Sequence, residues 1–173
     1  MRRAALSLGS NLGDRLGILA SALSGLAATG GLRVVAVSSV YETEPVGGPE
    51  QGPYLNAVVV ADTLLEPAEL LERALAVEHA HGRVREVRWG ARTLDVDVLS
   101  VGSVVSDDPQ LTLPHPRAHE RAFVLVPWAE VDPEYAVPGL ERTVAALLAA
   151  LPSVDGVRRT AGADVLRLDE VPR

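Results

Sequence analysis

The 173-residue sequence contains no cysteine. That excludes disulfides, thiolate metal sites, iron–sulfur clusters and a cysteine nucleophile, and it fits a reducing compartment. Lysine is absent too, since all 16 basic residues are arginine. A Walker-A lysine, a kinase-type lysine and a Schiff-base lysine are thereby excluded. Any phosphate chemistry must rest on Arg, His, backbone N–H groups or a metal. Aromatics are scarce, with two Trp, three Tyr and one Phe, so the core must be packed from Leu, Val and Ala. Long apolar runs are lacking as well. Residues 16–32 carry no charge, but Gly17, Ser21, Ser24, Gly25, Thr29, Gly30 and Gly31 interrupt them. The stretch also falls short of the roughly 20 residues of a spanning helix. Arg2-Arg3 and the apolar residues 4–8 are too short for a secretory signal. A cytoplasmic protein with no membrane partner is expected.

Positive charge is in deficit, with a net charge of −7, which argues against nucleic acid as a partner. Four arginines nonetheless crowd into one segment: Arg83, Arg85, Arg88 and Arg92. The length suits a single domain over 1–173 with a core of its own. No repeat, low-complexity tract or linker divides it.

Residues 4–8 read as a strand ending at Gly9-Ser10-Asn11. Asp14 then caps a helix whose apolar positions Leu16, Leu19, Ala20, Leu23, Leu26 and Ala27 recur at helical spacing, and Gly30-Gly31 stop it. Residues 34–41 are rich in β-branched side chains and predict a second strand. A Gly- and Pro-rich loop over 42–53 follows, then a third strand over 54–61. Glu66-Pro67 opens a second helix with Leu70, Leu71, Ala74, Leu75 and Val77 on its apolar face. Residues 83–91 form another loop, and 93–101 alternate as a fourth strand. The β-α-β-β-α-β order, with the middle strands joined without a helix, predicts an α+β fold: a ferredoxin-like βαββαβ core with an antiparallel sheet. That core covers about 4–135. A short helix is expected within 116–128, a firmer one over 141–151, and a helical extension over about 140–173.

The densest chemistry lies in Arg88-Trp89-Gly90-Ala91-Arg92-Thr93-Leu94-Asp95-Val96-Asp97-Val98-Leu99. On a strand, residues i and i+2 share a face roughly 6.5–7 Å apart. Asp95 and Asp97 therefore project together, while Leu94, Val96 and Val98 project to the core. Two such carboxylates repel unless a cation lies between them. Hard divalent ions such as Mg²⁺ take such an oxygen pair and complete their shell with water and substrate phosphates. Alone, the pair is more often the solvated face of an edge strand. The neighbouring arginines point instead to a metal and a polyphosphate held together, against the competing reading of a solvated salt-bridge network.

A second cluster runs Leu113-Pro114-His115-Pro116-Arg117-Ala118-His119-Glu120-Arg121-Ala122-Phe123. Two prolines fix His115, which suits phosphate binding or proton exchange. A helix starting at Pro116 would not hold both His115 and His119, so a zinc pair is unconvincing. His79, His81 and His119 read as surface or capping residues. Tyr54, Trp89 and Phe123 fall among the polar segments and are candidates to stack on a planar ring; ordinary packing is the alternative. Asn56 has an amide suited to a heterocycle's donors and acceptors.

Together these segments resemble the 6-hydroxymethyl-7,8-dihydropterin pyrophosphokinase family of folate biosynthesis. The resemblance rests on Arg88-Trp89-Gly90-Ala91-Arg92-Thr93-Leu94-Asp95-Val96-Asp97 and Gly9-Ser10-Asn11-Leu12-Gly13. It extends to Tyr41-Glu42-Thr43-Glu44-Pro45-Val46-Gly47, Tyr54-Leu55-Asn56, Gly82-Arg83-Val84-Arg85, and Leu113-Pro114-His115-Pro116 through Arg121-Ala122-Phe123, in the family's order. Ala91 stands where the family usually has Pro. The resemblance implies Mg²⁺-dependent transfer of pyrophosphate from ATP to a pterin hydroxymethyl oxygen, with release of AMP. It implies that Asp95 and Asp97 hold two Mg²⁺ ions, and that Arg83, Arg92, His115 and Arg121 serve the ATP phosphates or the transferring group. Tyr54 and Phe123 would flank the pterin. Thr43, Pro45, Val46 and Asn56 would line its pocket. Glu78, Arg85 and Trp89 would lie on the nucleotide side. Partners would be these small molecules alone, with the chain a monomer or weak homodimer. The rivals are an RNA-binding module, a ligand-binding regulatory domain and a single-phosphoryl kinase. Charge opposes the first and the Asp95/Asp97 pair the second; only the resemblance separates the third.

Overall fold

A computed structural model of the chain describes residues 1–44, 52–81 and 94–166. The first strand, β1 (Arg2–Ser10), extends the expected 4–8 at both ends. Helix α1 (Arg15–Ala27) begins where the sequence places its cap: the Asp14 carboxylate accepts the Gly17 N–H at 3.1 Å. A β-carbon on Gly17 would fall 2.2 Å from that carboxylate, so the glycine makes room for the cap. Such a cap contributes about 1 kcal/mol. Burial of Leu19, Leu23 and Leu26 contributes about 1.5–3 kcal/mol each, so packing rather than capping holds α1 in place.

The expected strand over 34–41 is two strands, β2 (Leu32–Val37) and β3 (Val40–Thr43). The break falls at Ser38-Ser39, both buried. The Ser38 hydroxyl donates to the Ser39 carbonyl at 2.7 Å and accepts the Val58 N–H at 2.9 Å. A side-chain hydroxyl thus replaces a backbone ladder partner, which lets the strand turn. Next come β4 (Tyr54–Thr63) and α2 (Pro67–Ala80). Leu70, Ala74 and Val77 of α2 are buried as expected, but Leu75 is exposed, because the contact face is narrower than the apolar stripe. His81 caps α2, with Nδ1 2.8 Å from the Val77 carbonyl and Nε2 2.9 Å from the Ser21 hydroxyl of α1.

Strand β5 (Asp95–Val101) leads into a small hairpin, β6 (Ser106–Asp108) and β7 (Leu111–Leu113). The helix expected in 116–128 is a 3₁₀ turn at Ala118–Glu120 followed by α3 (Ala122–Val131). The delay follows from the His115 N–H, which donates to the Leu99 carbonyl at 2.8 Å and ties that stretch to β5. Beyond it, β8 (Ala136–Val137) pairs with β9 (Arg142–Thr143). The helix expected over 141–151 is therefore the shorter α4 (Val144–Ala149). Glu141 takes a φ of 54° and residues 142–143 are spent on pairing, so the helix starts only where the Thr143 hydroxyl accepts the Ala146 N–H at 3.1 Å. The remainder is not purely helical: β10 (Val157–Ala161) joins the main sheet.

That sheet runs β10-β3-β4-β1-β5, antiparallel throughout, with β2 also on β4. Helices α1 and α2 pack on Leu6, Leu8, Ala57, Val59, Val96 and Val98. Helices α3 and α4 pack on Ala5, Val58, Val60 and Leu99. Alternation along β1 places Leu6 and Leu8 toward α1 and α2, and the smaller Ala5, Ser7 and Gly9 toward the other side.

Candidate active site

Strand register builds the site. Asp95 pairs with Gly9, Gly9 with Asn56, and Asn56 with Tyr41. Directly opposed residues share a face, so these four form one row across the sheet, on the α3 side. Two residues further on, Asp97 pairs with Ser7 and Ser7 with Val58, and Thr43 pairs with Tyr54 beyond the row's other flank. At about 4.8 Å per strand, Asp95 and Asn56 stand two strands, or about 10 Å, apart. That is room for a planar ring and a phosphate chain.

Gly9 is the floor between them. A β-carbon there would lie 2.9 Å from Asn56 Oδ1 and 3.6 Å from Tyr54 Cδ1, so only a residue without a side chain lets the Asn56 amide lean over β1, with Tyr54 at ordinary contact beside it. The Asn56 amide donates to Thr43 Oγ1 at 2.7 Å, and both residues are buried. That bond restrains the rotation of the Asn56 amide.

The opposite wall comes from the segment before α3. Burial pushes the Arg121 guanidinium below its ordinary value, and the negative charges of Asp97 and, more weakly, Asp95 oppose the shift. Arg121 therefore lies within electrostatic reach of both aspartates, as well as of Glu120 and Arg117. Its guanidinium carbon lies 5.5 Å from the centre of the Phe123 ring, a cation–π stack that orients both groups. His115 lies beside them. Burial, with help from Arg121 and Arg117, pulls its imidazole down to about 4, so it is neutral near pH 7. Its Nδ1 accepts the Arg117 N–H at 3.3 Å, which leaves the proton on Nε2 as a donor.

Asp95 and Asp97 are half-buried on one face, with Leu94, Val96 and Val98 buried beneath. Among the described residues no three His, Asp or Glu gather into a full metal cage. Mg²⁺ needs none, because it is held by one or two carboxylates plus waters and substrate phosphates. This oxygen-only pair beside a guanidinium fits that ion and not a closed zinc site.

Thr43, Tyr54, Asn56, Asp95, Asp97, His115, Arg121 and Phe123 thus come together around one end of the sheet. Glu78 stands apart. It is 2% exposed, and its carboxylate accepts the Val96 N–H at 2.9 Å on the outer edge of β5. It supports the strand that carries the aspartates from the helical layer. Pro45, Val46, Arg83, Arg85, Trp89 and Arg92, with Ala91, lie outside the described residues.

Residues 5–133 match the 7,8-dihydro-6-hydroxymethylpterin-pyrophosphokinase (HPPK) family. The chain belongs to this family. It is 51% identical over 151 residues to the 2-amino-4-hydroxy-6-hydroxymethyldihydropteridine pyrophosphokinase of Methylorubrum extorquens, covering 87% of this chain and 94% of that one. The enzyme of the same name from Mycobacterium tuberculosis is 48% identical over 90% of this chain and 87% of its own. That of Pseudomonas aeruginosa is 40% identical, over 94% and 99%. Among solved structures, the HPPK-DHPS of Plasmodium falciparum with pteroate superimposes with a TM-score of 0.68 at 17% identity, over 86% of this chain. This chain spans only 42% of that one, and at such identity the likeness speaks for the fold.

Sequence reasoning about this HPPK-family chain passed over Glu130. Its carboxylate accepts from the Ser39 N–H at 2.8 Å, the Ser39 hydroxyl at 2.6 Å and the Tyr41 hydroxyl at 3.0 Å. The signals were present: a pair of serines interrupting a β-branched run, and a lone acid in the otherwise apolar α3.

Proposed function

We propose that the protein transfers the pyrophosphoryl group of ATP to the hydroxymethyl oxygen of 6-hydroxymethyl-7,8-dihydropterin, giving the pterin diphosphate and AMP for folate biosynthesis. The observation that carries this reading is the register row. It sets Asp95 and Asn56 about 10 Å apart across Gly9, with the Arg121 guanidinium within electrostatic reach of Asp95 and Asp97.

The pterin lies over Gly9. The Asn56 amide and the Thr43 hydroxyl meet its polar edge, Tyr54 and Phe123 its faces, and Pro45 and Val46 complete the pocket. Its hydroxymethyl arm points along the row toward Asp95. The triphosphate lies along β5. Asp95 and Asp97 would hold two Mg²⁺ ions, which would supply charge neutralisation of the phosphate oxygens. Arg121 and the Nε2–H of His115 donate to the same oxygens, and Arg83 and Arg92 belong with them. Arg85 and Trp89 belong to the nucleotide side, and Glu78 serves that side by holding β5. In the transfer, the hydroxymethyl oxygen bonds to the β-phosphorus and the bond from that phosphorus to the α,β-bridging oxygen breaks. AMP keeps that electron pair, and the hydroxyl proton passes to solvent or phosphate oxygen. Such a reaction needs in-line placement and charge neutralisation more than a strong base. A neutral His115 and a cationic Arg121 suit that demand.

The strand order β5-β1-β4-β3, with α1 and α2 on one face, supports the finer reading of the core as ferredoxin-like within a single domain. No helix among the described residues is long and apolar enough to cross a membrane. The reading has the enzyme working on small molecules in the cytoplasm, as a monomer or weak homodimer. The test is incubation of the purified protein with ATP, Mg²⁺ and the hydroxymethyl pterin, followed by separation of nucleotides. Pterin-dependent AMP supports the reading. ADP in its place identifies a single-phosphoryl kinase, and neither product from folded protein identifies a ligand-binding domain.

A further inference from the structure

Helix α3 carries a weakness beside the site. Pro127 lies inside it and has no N–H, so the Phe123 carbonyl loses the helix bond that residue 127 would donate. The Val124 and Leu125 N–H groups still close the first turn on the Arg121 carbonyl, so the missing bond falls between the turn that presents Phe123 and the rest of the helix. Glu130 lies seven residues further on, about 10 Å along the axis and within about 20° of the same direction. An anchor at Glu130 therefore bears on the rotation at which α3 presents Phe123, alongside the buried Val124, Leu125 and Trp128.

What holds Glu130 is the start of β3 and the residue before it. Its two carboxylate oxygens take three donors, the N–H and hydroxyl of Ser39 and the hydroxyl of Tyr41. Ser39 and Tyr41 are 2% and 9% exposed, so their donors have little access to water as a substitute. Burial and the neighbouring Glu130 push the Tyr41 phenol up to about 12, which keeps it a donor at any working pH. Tyr41 pairs with Asn56 in the register row, and Thr43, two residues on from Tyr41, accepts the Asn56 amide. One carboxylate thus touches the strand that orients the polar wall of the cleft. The same carboxylate anchors the helix that presents its aromatic wall.

We propose that Glu130 is a positioning residue for the pterin: by tying the C-terminal end of α3 to β3, it sets the separation between Phe123 on the helix and the Thr43–Asn56 pair on the sheet. The inference rests on the pyrophosphokinase reading above. It assigns a role to a residue that touches neither substrate nor metal.

The test is steady-state kinetics of the full chain with Glu130→Gln, Tyr41→Phe and the double variant, alongside thermal melting. Glutamine keeps the length of the side chain but cannot accept all three donors. The expected result is a KM for the pterin raised by about tenfold, the order of effect expected when a substrate-positioning group is slightly displaced, with the KM for ATP within about twofold of the wild type. Tyr41→Phe should raise the pterin KM less. The double variant should be no worse than Glu130→Gln alone, because both act through one contact. A folded Glu130→Gln enzyme with an unchanged pterin KM overturns the proposal. So does a loss spread equally over both substrates, which is the mark of general destabilisation. If Glu130→Gln does not fold, Tyr41→Phe decides on the same criterion. Wild-type protein that makes no AMP in this assay overturns the functional reading itself, a result distinct from a wild type that works and a variant that works equally well.

Discussion

Replacing Gly9 with alanine puts one methyl group into the floor of the cleft. The new β-carbon would sit 2.9 Å from Asn56 Oδ1 and 3.6 Å from Tyr54 Cδ1. The second distance is ordinary contact, but the first is too close, so the Asn56 amide must swing away. Its 2.7 Å bond to Thr43 is the link that breaks. A hydrogen bond of this kind contributes about 1 kcal/mol net, while burying the added methyl returns about 0.8 kcal/mol. The fold should therefore lose little, and Tm should move by no more than about 2–4 °C, the shift that 1 kcal/mol gives at this size. Binding should lose more. If the displaced amide forfeits about 1.4 kcal/mol of pterin contact, the pterin KM rises about tenfold, with ATP unaffected. Gly30→Ala, whose methyl would meet nothing within 4 Å, is the control. Melting curves and KM values for both substrates make the measurement. A Gly9→Ala enzyme with normal stability and a normal pterin KM would refute the placement of Asn56 at the pterin edge. A melting point lowered by far more than the few degrees worked out above would mean that Gly9 matters for packing rather than for the ligand.

Asp95→Ala and Asp97→Ala should each abolish Mg²⁺-dependent turnover while leaving the fold intact, because each would remove a proposed metal ligand and relieve repulsion between half-buried carboxylates; near-normal activity in both would refute the metal assignment. The His115 imidazole falls from 6.5 to about 4 on folding, so between those values the unfolded chain binds the proton and the folded one does not. Stability from this group is full above pH 6.5 and is lost as pH falls toward 4. His115→Gln should flatten that part of the stability profile, which urea titrations at several pH values would reveal, and an unchanged slope would contradict the assignment. Gly25 lies inside α1, where an added methyl would meet Val77 at an unstrained 3.5 Å. Gly25→Ala should stabilise by about 0.5–1 kcal/mol through helix propensity, and a lowered Tm would show that α1 and α2 pack more tightly than that contact allows.

Much of this was legible in the sequence because the signals were local. Asp14 capped α1 as expected, Glu66-Pro67 opened α2, and the alternation through Leu94, Val96 and Val98 put Asp95 and Asp97 on one face. The split of β2 from β3 was not legible. Residues 34–41 have the composition of one strand, and only the tertiary bonds of Ser38 to Val58 and Ser39 to Glu130 make the break favourable. The tail misled for the same reason. Residues 144–149 are helical by propensity, yet pairing of 142–143 with 136–137 shortens the helix, and a strand at 157–161 exists only because β3 offers a free edge. The motif residues were found by type, but their meeting across β1 is a matter of register. Register depends on partners far along the chain.

The position of β10 bears on how the protein is made. Residues 157–161 close the edge of the sheet against residues 40–43, and the Thr160 hydroxyl reaches the Val40 carbonyl across 120 residues of sequence. A nascent chain leaving the ribosome offers β3 to solvent as an open strand edge until that last segment emerges, and Tyr41 lies on this edge. Pairing of this edge waits on residues more than a hundred positions further along the chain, which makes the topology slow to close. Until then, the open edge of β3 is a place where another chain could pair.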